Sequence, residues 1–369
     1  MADPKPVRIL IAGGGTGGHL MPALAIAAEL RRQAPEIEPV LVGAQRGIEA
    51  TLLPRRELRY QLLSSEPIYR RQWWKNVRWP WLAFRLIQQV GELLEREKPA
   101  AVLGTGGYAS APVVWLAALR GIPTAVQEQN AFPGLATRWL SRSVRHIYLG
   151  LPEARGRLKA GPKTELFDTG NPITPPDHPR RATARARFGL TDDRPVLLIT
   201  GGSQGAVAVN DLVSEWLRGG GGKGMTVLWA TGRGSYDRYA ALHRMPDIQV
   251  VDFLDPMADA YAVADLVVAR AGMMTGAELC AWGLPSILIP LPTAAADHQT
   301  WNARALDQAG AAKMLVQAGL TAAGLGTEIE RLIADKTRLA SMATAAKARG
   351  RPAAASEIVR RLLTLVRMP

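Results

Sequence analysis

The chain has 369 residues, 47% of them apolar and 21% charged, with 45 lysines and arginines against 32 acids and a formal charge of +13 at pH 7. That length points to two domains, each able to bury a core, and the single cysteine, Cys280, excludes an intrachain disulfide and a cysteine zinc cluster. The positive balance points to an anionic partner: nucleic acid, a phosphorylated small molecule or an anionic lipid surface.

The opening MADPKPVRILIA lacks the basic and long apolar regions of a secretory signal and reads as a first strand. With one cysteine, a reducing cytoplasm is the default compartment. Strands are predicted over 7–12, 39–44, 100–104, 124–128 and 145–150, separated by helical patterns such as MPALAIAAELRRQ. The uncharged run from Pro99 to Leu119 is broken by Gly104, Gly106, Gly107 and Pro112, so it reads as strand, turn and helix rather than a membrane span. From Gly161 a proline- and charge-rich texture suits a linker or exposed connection. The alternation then restarts over 195–202, 225–232, 248–254, 266–272 and 285–291, giving two α/β domains in tandem. The final ASEIVRRLLTLVR has a helical stripe at Ile358, Val359, Leu362, Leu363 and Val366 that must pack on something, the first domain being one option.

Three glycine loops follow strands. AGGGTGGHLMP satisfies GxGxxG through Gly13, Gly15 and Gly18, a turn that offers helix amides to an anion. The next strand ends Gly43, Ala44, Gln45, without the acid that a dinucleotide site uses to hold ribose hydroxyls, which weakens an oxidoreductase reading. GTGGYAS carries Tyr108 at its tip, and QEQNAFPG clusters Glu128, Gln129 and Asn130 after a strand, where polar residues serve either as turn formers or toward a substrate. TGGSQGA repeats the strand–glycine–helix arrangement with Ser203 and Gln204, and two such loops half a chain apart suggest one per domain. RAGMMTGAEL places Glu278 in a short helix, and ADHQTWNA places Asp297, His298, Gln299 and Asn302 at the start of another, where they serve as caps or face a ligand. No DxD triplet occurs and no two histidines share a metal-ligand spacing, so no catalytic metal is expected. His19, against the first glycine loop, either caps or packs, or acts as a base titrating near neutral pH.

The segment YRRQWWKNVRWPWLAFR concentrates Trp73, Trp74, Trp79 and Trp81 among Arg70, Arg71, Lys75, Arg78 and Arg85, too charged for a core and too aromatic for a solvated face. It suits either a membrane surface or a nucleic-acid patch.

Eight motifs, GGGTGGHLMPALAIA, VLGTGGYASAP, QEQNAFPGLATRWL, TGNPI, TGGSQGA, FLDPMADAYAVADLVVARAG, GAEL and ADHQTWNA, stand in the order seen in the MurG family of bacterial glycosyltransferases, which the chain resembles over nearly its whole length. The resemblance implies a GT-B fold of two Rossmann-like domains facing an interdomain cleft. Residues 1–173, with 353–369 packing back, would form an acceptor- and membrane-associated domain, and 174–352 a UDP-GlcNAc-binding domain. It further implies inverting transfer of N-acetylglucosamine from UDP-GlcNAc to the C4 hydroxyl of the muramyl residue of lipid I, giving lipid II for peptidoglycan synthesis, with no cofactor and no nucleic acid partner. Thr16, Gly17 and Gly18 would approach the donor sugar and acceptor pyrophosphate, Asn130 the GlcNAc end, and Ser203 with Gln204 the diphosphate. The backbone of Leu254 would read uracil, Glu278 would hold the ribose hydroxyls, Met273, Met274, Thr275, Gly276 and Ala277 would belong to the same donor site, and Gln299 would contact GlcNAc hydroxyls. His19 is the first choice of general base, with Glu128 and Tyr108 as rivals. The aromatic-basic segment then becomes an anionic-membrane contact through Trp73, Trp74, Trp79, Trp81 and Arg78, placing the protein peripherally on the cytoplasmic face of the cell membrane, with a wall-synthesis complex as a candidate partner. The chain departs from the family pattern at Thr174, where arginine is usual after GNP, at Ala271, and at Ala111 before Pro112, which bears on donor affinity more than on fold.

Overall fold

The computed structural model describes residues 6–66, 79–177, 180–202 and 204–366. The chain divides into two compact units, one of residues 1–173 with 353–369 and the other of 174–352.

The first unit is built on seven parallel strands: β1 (Val7–Gly13), β2 (Ile37–Ala44), β3 (Arg59–Leu63), β4 (Ala101–Gly106), β5 (Thr124–Glu128), β6 (His146–Leu149) and β7 (Glu165–Phe167). They lie in the order β3-β2-β1-β4-β5-β6-β7. The apolar runs of β1, β2 and β4 are buried on both faces, as a parallel sheet covered by helices requires. Ile9, Ile11, Leu41 and Leu103 pack toward α1 (Gly17–Gln33). Leu10, Ala12, Val40, Val42 and Val102 pack with Val90, Leu93 and Leu94 of α3 (Trp79–Glu97) and Val113, Val114 and Ala117 of α4 (Ser110–Leu119). A four-residue helix, α2 (Glu49–Leu52), follows β2, and α5 (Leu135–Leu140) follows β5.

The second unit has six parallel strands: β8 (Val196–Thr200), β9 (Thr226–Ala230), β10 (Ile248–Val251), β11 (Leu266–Arg270), β12 (Ser286–Ile289) and β13 (Ala312–Met314). Their order, β10-β9-β8-β11-β12-β13, repeats that of the first six strands of the other sheet, so each unit is a Rossmann-like layer structure. Its helices are α6 (Arg181–Arg187), α7 (Val207–Arg218), α8 (Tyr236–Tyr239), α9 (Met257–Val263), α10 (Met273–Trp282), α11 (His298–Gln308), α12 (Ala322–Ala334) and α13 (Lys336–Arg349).

The last helix, α14 (Ala354–Val366), belongs to the first unit. Ile358, Val359, Leu362 and Leu365 are buried with Leu20, Ala23 and Ile26 of α1. Ser356 accepts from the Gln33 amide at 2.8 Å, and the Arg361 guanidinium lies 3.8 Å over the Phe167 ring of β7. The stripe read from the sequence therefore has its partner. The texture from Gly161 is more than a connection, since it contains the edge strand β7 and the helix α6.

Candidate functional site

In the first unit, the turn between β1 and α1 is set by contacts that only glycine permits. Gly15 has φ +86°, and a Cβ there would stand 2.8 Å from Tyr108 Cε1; a Cβ at Gly107 would stand 2.1 Å from the Gly14 carbonyl oxygen. The two loops therefore pack backbone to backbone. Beneath them lies a carboxylate that the sequence reading missed. Glu49, fully buried, accepts the Gly15 N–H at 3.0 and 2.9 Å on its two oxygens and the Ala44 N–H at 2.7 Å. Any side chain at Gly14, Gly43 or Gly47 would collide with it. The acid expected after β2 is thus present four residues beyond Gln45, but it is spent on backbone amides rather than turned toward a ribose. Its only sequence signal was a glutamate two residues past Gly47, in a run that reads as an ordinary turn.

Thr16, exposed, is the N-cap of α1, and no atom outside the turn would crowd a Cβ at Gly17. The Thr16 side chain makes no capping hydrogen bond to the first amides of this 17-residue helix, the arrangement that suits an anion. His19 is half-buried on the first turn, with Nδ1 3.2 Å from Thr16 Oγ1 and its ring against Gly106, where a Cβ would meet Cδ2 at 2.6 Å. Its carbonyl accepts from Thr105 Oγ1 at 2.9 Å. In the tautomer that donates Nδ1–H to Thr16, Nε2 keeps the lone pair a base needs.

The rival carboxylate, Glu128, is 3% exposed and holds its own loop, accepting the Asn130 N–H at 3.0 Å, the Asn130 side-chain amide at 3.2 Å and the Gly134 N–H at 2.9 Å. Below it, the Gln129 amide donates to the Thr105 carbonyl at 2.7 Å and that of Gln127 to Asn171 Oδ1 at 2.8 Å. Glu128 and Asn130 are thereby brought together, and the loop that carries them is tied to the loop that carries Tyr108.

In the second unit, a cavity of about 530 Å³ opens at the carboxyl ends of β8, β11 and β12. It is lined by Gly201, Gly202, Gly205 and Ala206 from the TGGSQGA turn, by Val207 at the start of α7, and by Arg270, Gly272, Thr275, Gln299 and Gln317. Gly205, at φ +73°, lies where a Cβ would meet the Thr231 carbonyl oxygen at 2.1 Å. Asn210 locks this approach by donating to that same carbonyl at 2.8 Å while accepting from the Trp229 indole at 3.0 Å. The N-termini of α7 and α10 both border the cavity, bringing two positive dipole ends to one space.

Arg270 adds a full charge there. Its guanidinium donates at 3.2 Å to the carbonyls of Ile289 and Pro290, and among the described residues no carboxylate pairs with it. Burial alone pulls its pKa below the usual arginine value. Gln299 spends its side-chain carbonyl on the Leu291 N–H at 2.9 Å, which leaves its NH2 group to the cavity, and Gln317 Oε1 is buried without a partner in the same wall. At the start of α11, His298 Nδ1 lies 2.7 Å from the Ala295 carbonyl and Thr300 donates to Asp297 at 2.6 Å, both local contacts, while buried Asn302 reaches across to donate to the Ala271 carbonyl at 3.4 Å.

Glu278 sits in α10, half-buried, accepting from the Tyr261 hydroxyl at 2.9 Å. Burial pushes its carboxyl above the usual range, with the Tyr261 hydrogen bond pulling the other way; burial also drives the Tyr261 phenol well upward. Leu254, after β10, and Met273 are buried, Gly276 packs against Met273, and with Met274, Ala277 and Glu278 they stand outside the cavity wall proper. Gln204 is exposed, and Ser203 lies outside the described residues. Among the described residues no group of three metal-ligating side chains occurs.

The glycosyltransferase family 28 N-terminal domain matches residues 9–149 and the family's C-terminal domain residues 196–358. A UDP-N-acetylglucosamine--N-acetylmuramyl-(pentapeptide) pyrophosphoryl-undecaprenol N-acetylglucosamine transferase from Desulfitobacterium hafniense is 38% identical over 96% of this chain and 98% of its own length. A protein of the same name from Salinibacter ruber is 40% identical over 97% of this chain and 96% of its own. The crystal structure of MurG from Acinetobacter baumannii superposes with a TM-score of 0.78 at 28% identity, covering 97% of this chain and all of that one. The chain belongs to the MurG family. Its two parallel sheets are the two Rossmann-like domains of a GT-B glycosyltransferase, as the motif order implied.

Glu49→Gln replaces an acceptor with a donor facing the Gly15 or Ala44 amide, and should lower stability by about 1–3 kcal/mol in chemical denaturation; an unchanged midpoint would show that the glycine turn does not depend on the charge. For Glu278, a folded pKa above the unfolded one means that its protonated form favours folding. That contribution is complete below the ordinary carboxylate range and is lost as pH rises through the raised value. Ligand-free Glu278→Gln should therefore gain stability over the parent as pH is raised through that interval, measured by urea denaturation at a series of pH values.

Proposed function

We propose that the protein transfers N-acetylglucosamine from UDP-GlcNAc to the muramyl residue of a pyrophosphoryl-undecaprenol-linked acceptor, converting lipid I to lipid II. The observation that carries this reading is the near full-length identity with transferases of that name, and the second unit's cavity supports it independently. Two helix N-termini and Arg270, which has no carboxylate partner among the described residues, form an electrostatic seat for a diphosphate whose charge grows as the glycosidic bond breaks. The TGGSQGA turn, with Ser203 and Gln204, takes the diphosphate, Glu278 the ribose hydroxyls, Leu254 the uracil, and Gln299 the sugar hydroxyls. In the other unit, Thr16, Gly17 and Gly18 approach the acceptor pyrophosphate, and Asn130 the sugar.

The acceptor C4 hydroxyl gives its proton to His19 Nε2 as its oxygen attacks C1 of GlcNAc from the face opposite the diphosphate. The C1–O bond to phosphate breaks, UDP leaves, and C1 is inverted. Glu128 suits this proton transfer less well, because its oxygens already accept three hydrogen bonds. Tyr108 packs on Gly15 beside the turn and suits positioning.

The decisive assay is UDP release with a prenyl-linked acceptor analogue. His19→Ala should lower kcat by on the order of 100-fold with donor KM little changed; activity near that of the parent would return the base role to Glu128 or Tyr108, and turnover of UDP-glucose as fast as UDP-GlcNAc would overturn the donor assignment.

No helix among the described residues is long and apolar enough to cross a membrane, and we place the protein peripherally at the cytoplasmic face. Trp73, Trp74 and Arg78 lie outside the described residues, as does the Trp79 side chain. Trp81, 60% exposed beneath the Arg85 guanidinium at 5.4 Å, and Phe84, 61% exposed, supply the indole, ring and cation that suit a headgroup layer. The double substitution of Trp81 and Phe84 by serine should weaken binding to anionic vesicles about tenfold; sedimentation with such vesicles at parental levels would remove this face from the contact.

A further inference from the structure

Helix α10 leads away from the cavity of the second unit, and Glu278 lies nearly one turn along it. Thr275 lines the cavity, and Glu278, three residues on, is about 4.5 Å further along the axis and on the same helix face. A nucleoside diphosphate with its phosphates in the cavity has its ribose next in line. The carboxylate there is only half engaged. Its Oε2 accepts from the Tyr261 hydroxyl at 2.9 Å, and among the described residues no second donor reaches it. Oε1 is not sealed away either, since the fully buried side-chain atoms without a partner belong to Ser65, Glu97 and Gln317.

Tyr261 stands behind that carboxylate and is 4% exposed, its ring 6.2 Å from that of Trp282 on α10. Burial drives its phenol well upward, so it stays a donor. The helix that carries it, α9, has seven residues, too few to hold itself, and it is fastened from α6. Arg180 donates to one oxygen of Asp259 at 3.0 Å and Arg187 to the other at 2.5 Å. Arg187 also donates to the Asp255 carbonyl at 2.8 Å, and Arg181 to that of Ala262 at 2.8 Å. These bonds grip α9 on both sides of Tyr261, which gives its hydroxyl a fixed place. A glutamate free to rotate must be ordered when a ligand arrives, and one whose oxygen is already held has less freedom to lose.

Resting on the assignment of the ribose to Glu278 given above, we propose that Tyr261 is a positioning residue for the donor: it anchors one oxygen of Glu278 so that the other meets the ribose diol, and thereby sets the preference for a ribose over a sugar that lacks those hydroxyls. Tyr261 touches no substrate and acts only through the carboxylate. Its bond to Glu278 also opposes the upward push of burial, which keeps the carboxylate a better acceptor for the diol.

The test is Tyr261→Phe in the full-length protein, which removes the hydroxyl and keeps the ring beside Trp282. Calorimetry with UDP and with 2′,3′-dideoxy-UDP reads the ratio of the two affinities. The parent should favour UDP by at least about tenfold, and Tyr261→Phe should cut that ratio to within about threefold while 2′,3′-dideoxy-UDP binds as it does to the parent. In turnover the donor KM should rise about tenfold with kcat within about twofold of the parent. Added to Glu278→Ala, Tyr261→Phe should lower the ratio no further, because its effect runs through that carboxylate. A ratio that survives Tyr261→Phe but is lost in Glu278→Ala overturns the proposal and leaves the ribose assignment standing. Equal weakening of both ligands by Tyr261→Phe overturns it too, as the result of a phenol that merely packs. A ratio that survives Glu278→Ala overturns the ribose assignment itself, and the proposal with it.

Discussion

The buried Glu49 carboxylate fixes the glycine turn on which the first unit's chemistry depends. A charge withdrawn completely from water is costly unless each oxygen is hydrogen-bonded, and here the donors are two backbone amides, Gly15 and Ala44, rather than a basic side chain. The interaction works in both directions: the amides stabilise the carboxylate, and the carboxylate holds Gly15 at a positive φ just ahead of the α1 N-cap, whose side chain leaves the first amides uncapped. The glycines at 14, 43 and 47 are required by this arrangement, since the carboxylate occupies the space their side chains would take. The second unit reaches a similar turn by neutral means, with Asn210 bridging the Thr231 carbonyl and the Trp229 indole. One strand order thus supports two turns, one organised by a charge and one by an amide.

That contrast matches the electrostatics around each turn. Beside the TGGSQGA loop the fixed charge is positive, Arg270 with no carboxylate partner among the described residues, added to two helix dipoles. A carboxylate in the position of Glu49 would oppose a diphosphate there. In the first unit the negative charge lies beneath the turn and is saturated by amides, so its field on the exposed side is reduced by the donors it consumes. Glu128 follows the same rule, a buried carboxylate whose hydrogen bonds shape a loop.

Periodicity and glycine placement made the architecture legible. Every central strand of both sheets was predicted, because burial on both faces leaves a continuous apolar run bounded by glycine. The strands missed were β3, β7 and β13, all at sheet edges, where RYQLL and ELF mix charge with apolar residues and AKM spans three residues. The glycine turns and Gln299 stood out because each follows a strand; the TGGSQGA turn and Gln299 line the cavity, whereas Glu278 lies outside its wall. Glu49 did not stand out, since its role depends on a contact 34 residues away in sequence, nor did Gln317, whose significance lies only in an unpartnered oxygen facing a cavity. Arg270 carried no signal of its own, since its lack of a carboxylate partner among the described residues is a property of tertiary structure alone.

The helix α14 gives the chain an unusual order of completion. Its buried Ile358, Val359, Leu362 and Leu365 seal a face of α1 that is otherwise apolar and open, although α1 itself spans residues 17–33. The second unit is continuous from 174 to 352 and sits, in sequence, as an insertion within the first. During synthesis the later unit can close its core while the earlier one still lacks its lid, reversing the usual N-to-C progression of domain folding. A released chain lacking residues 354–366 would carry a finished second unit and an unsealed first, with the apolar face of α1 exposed.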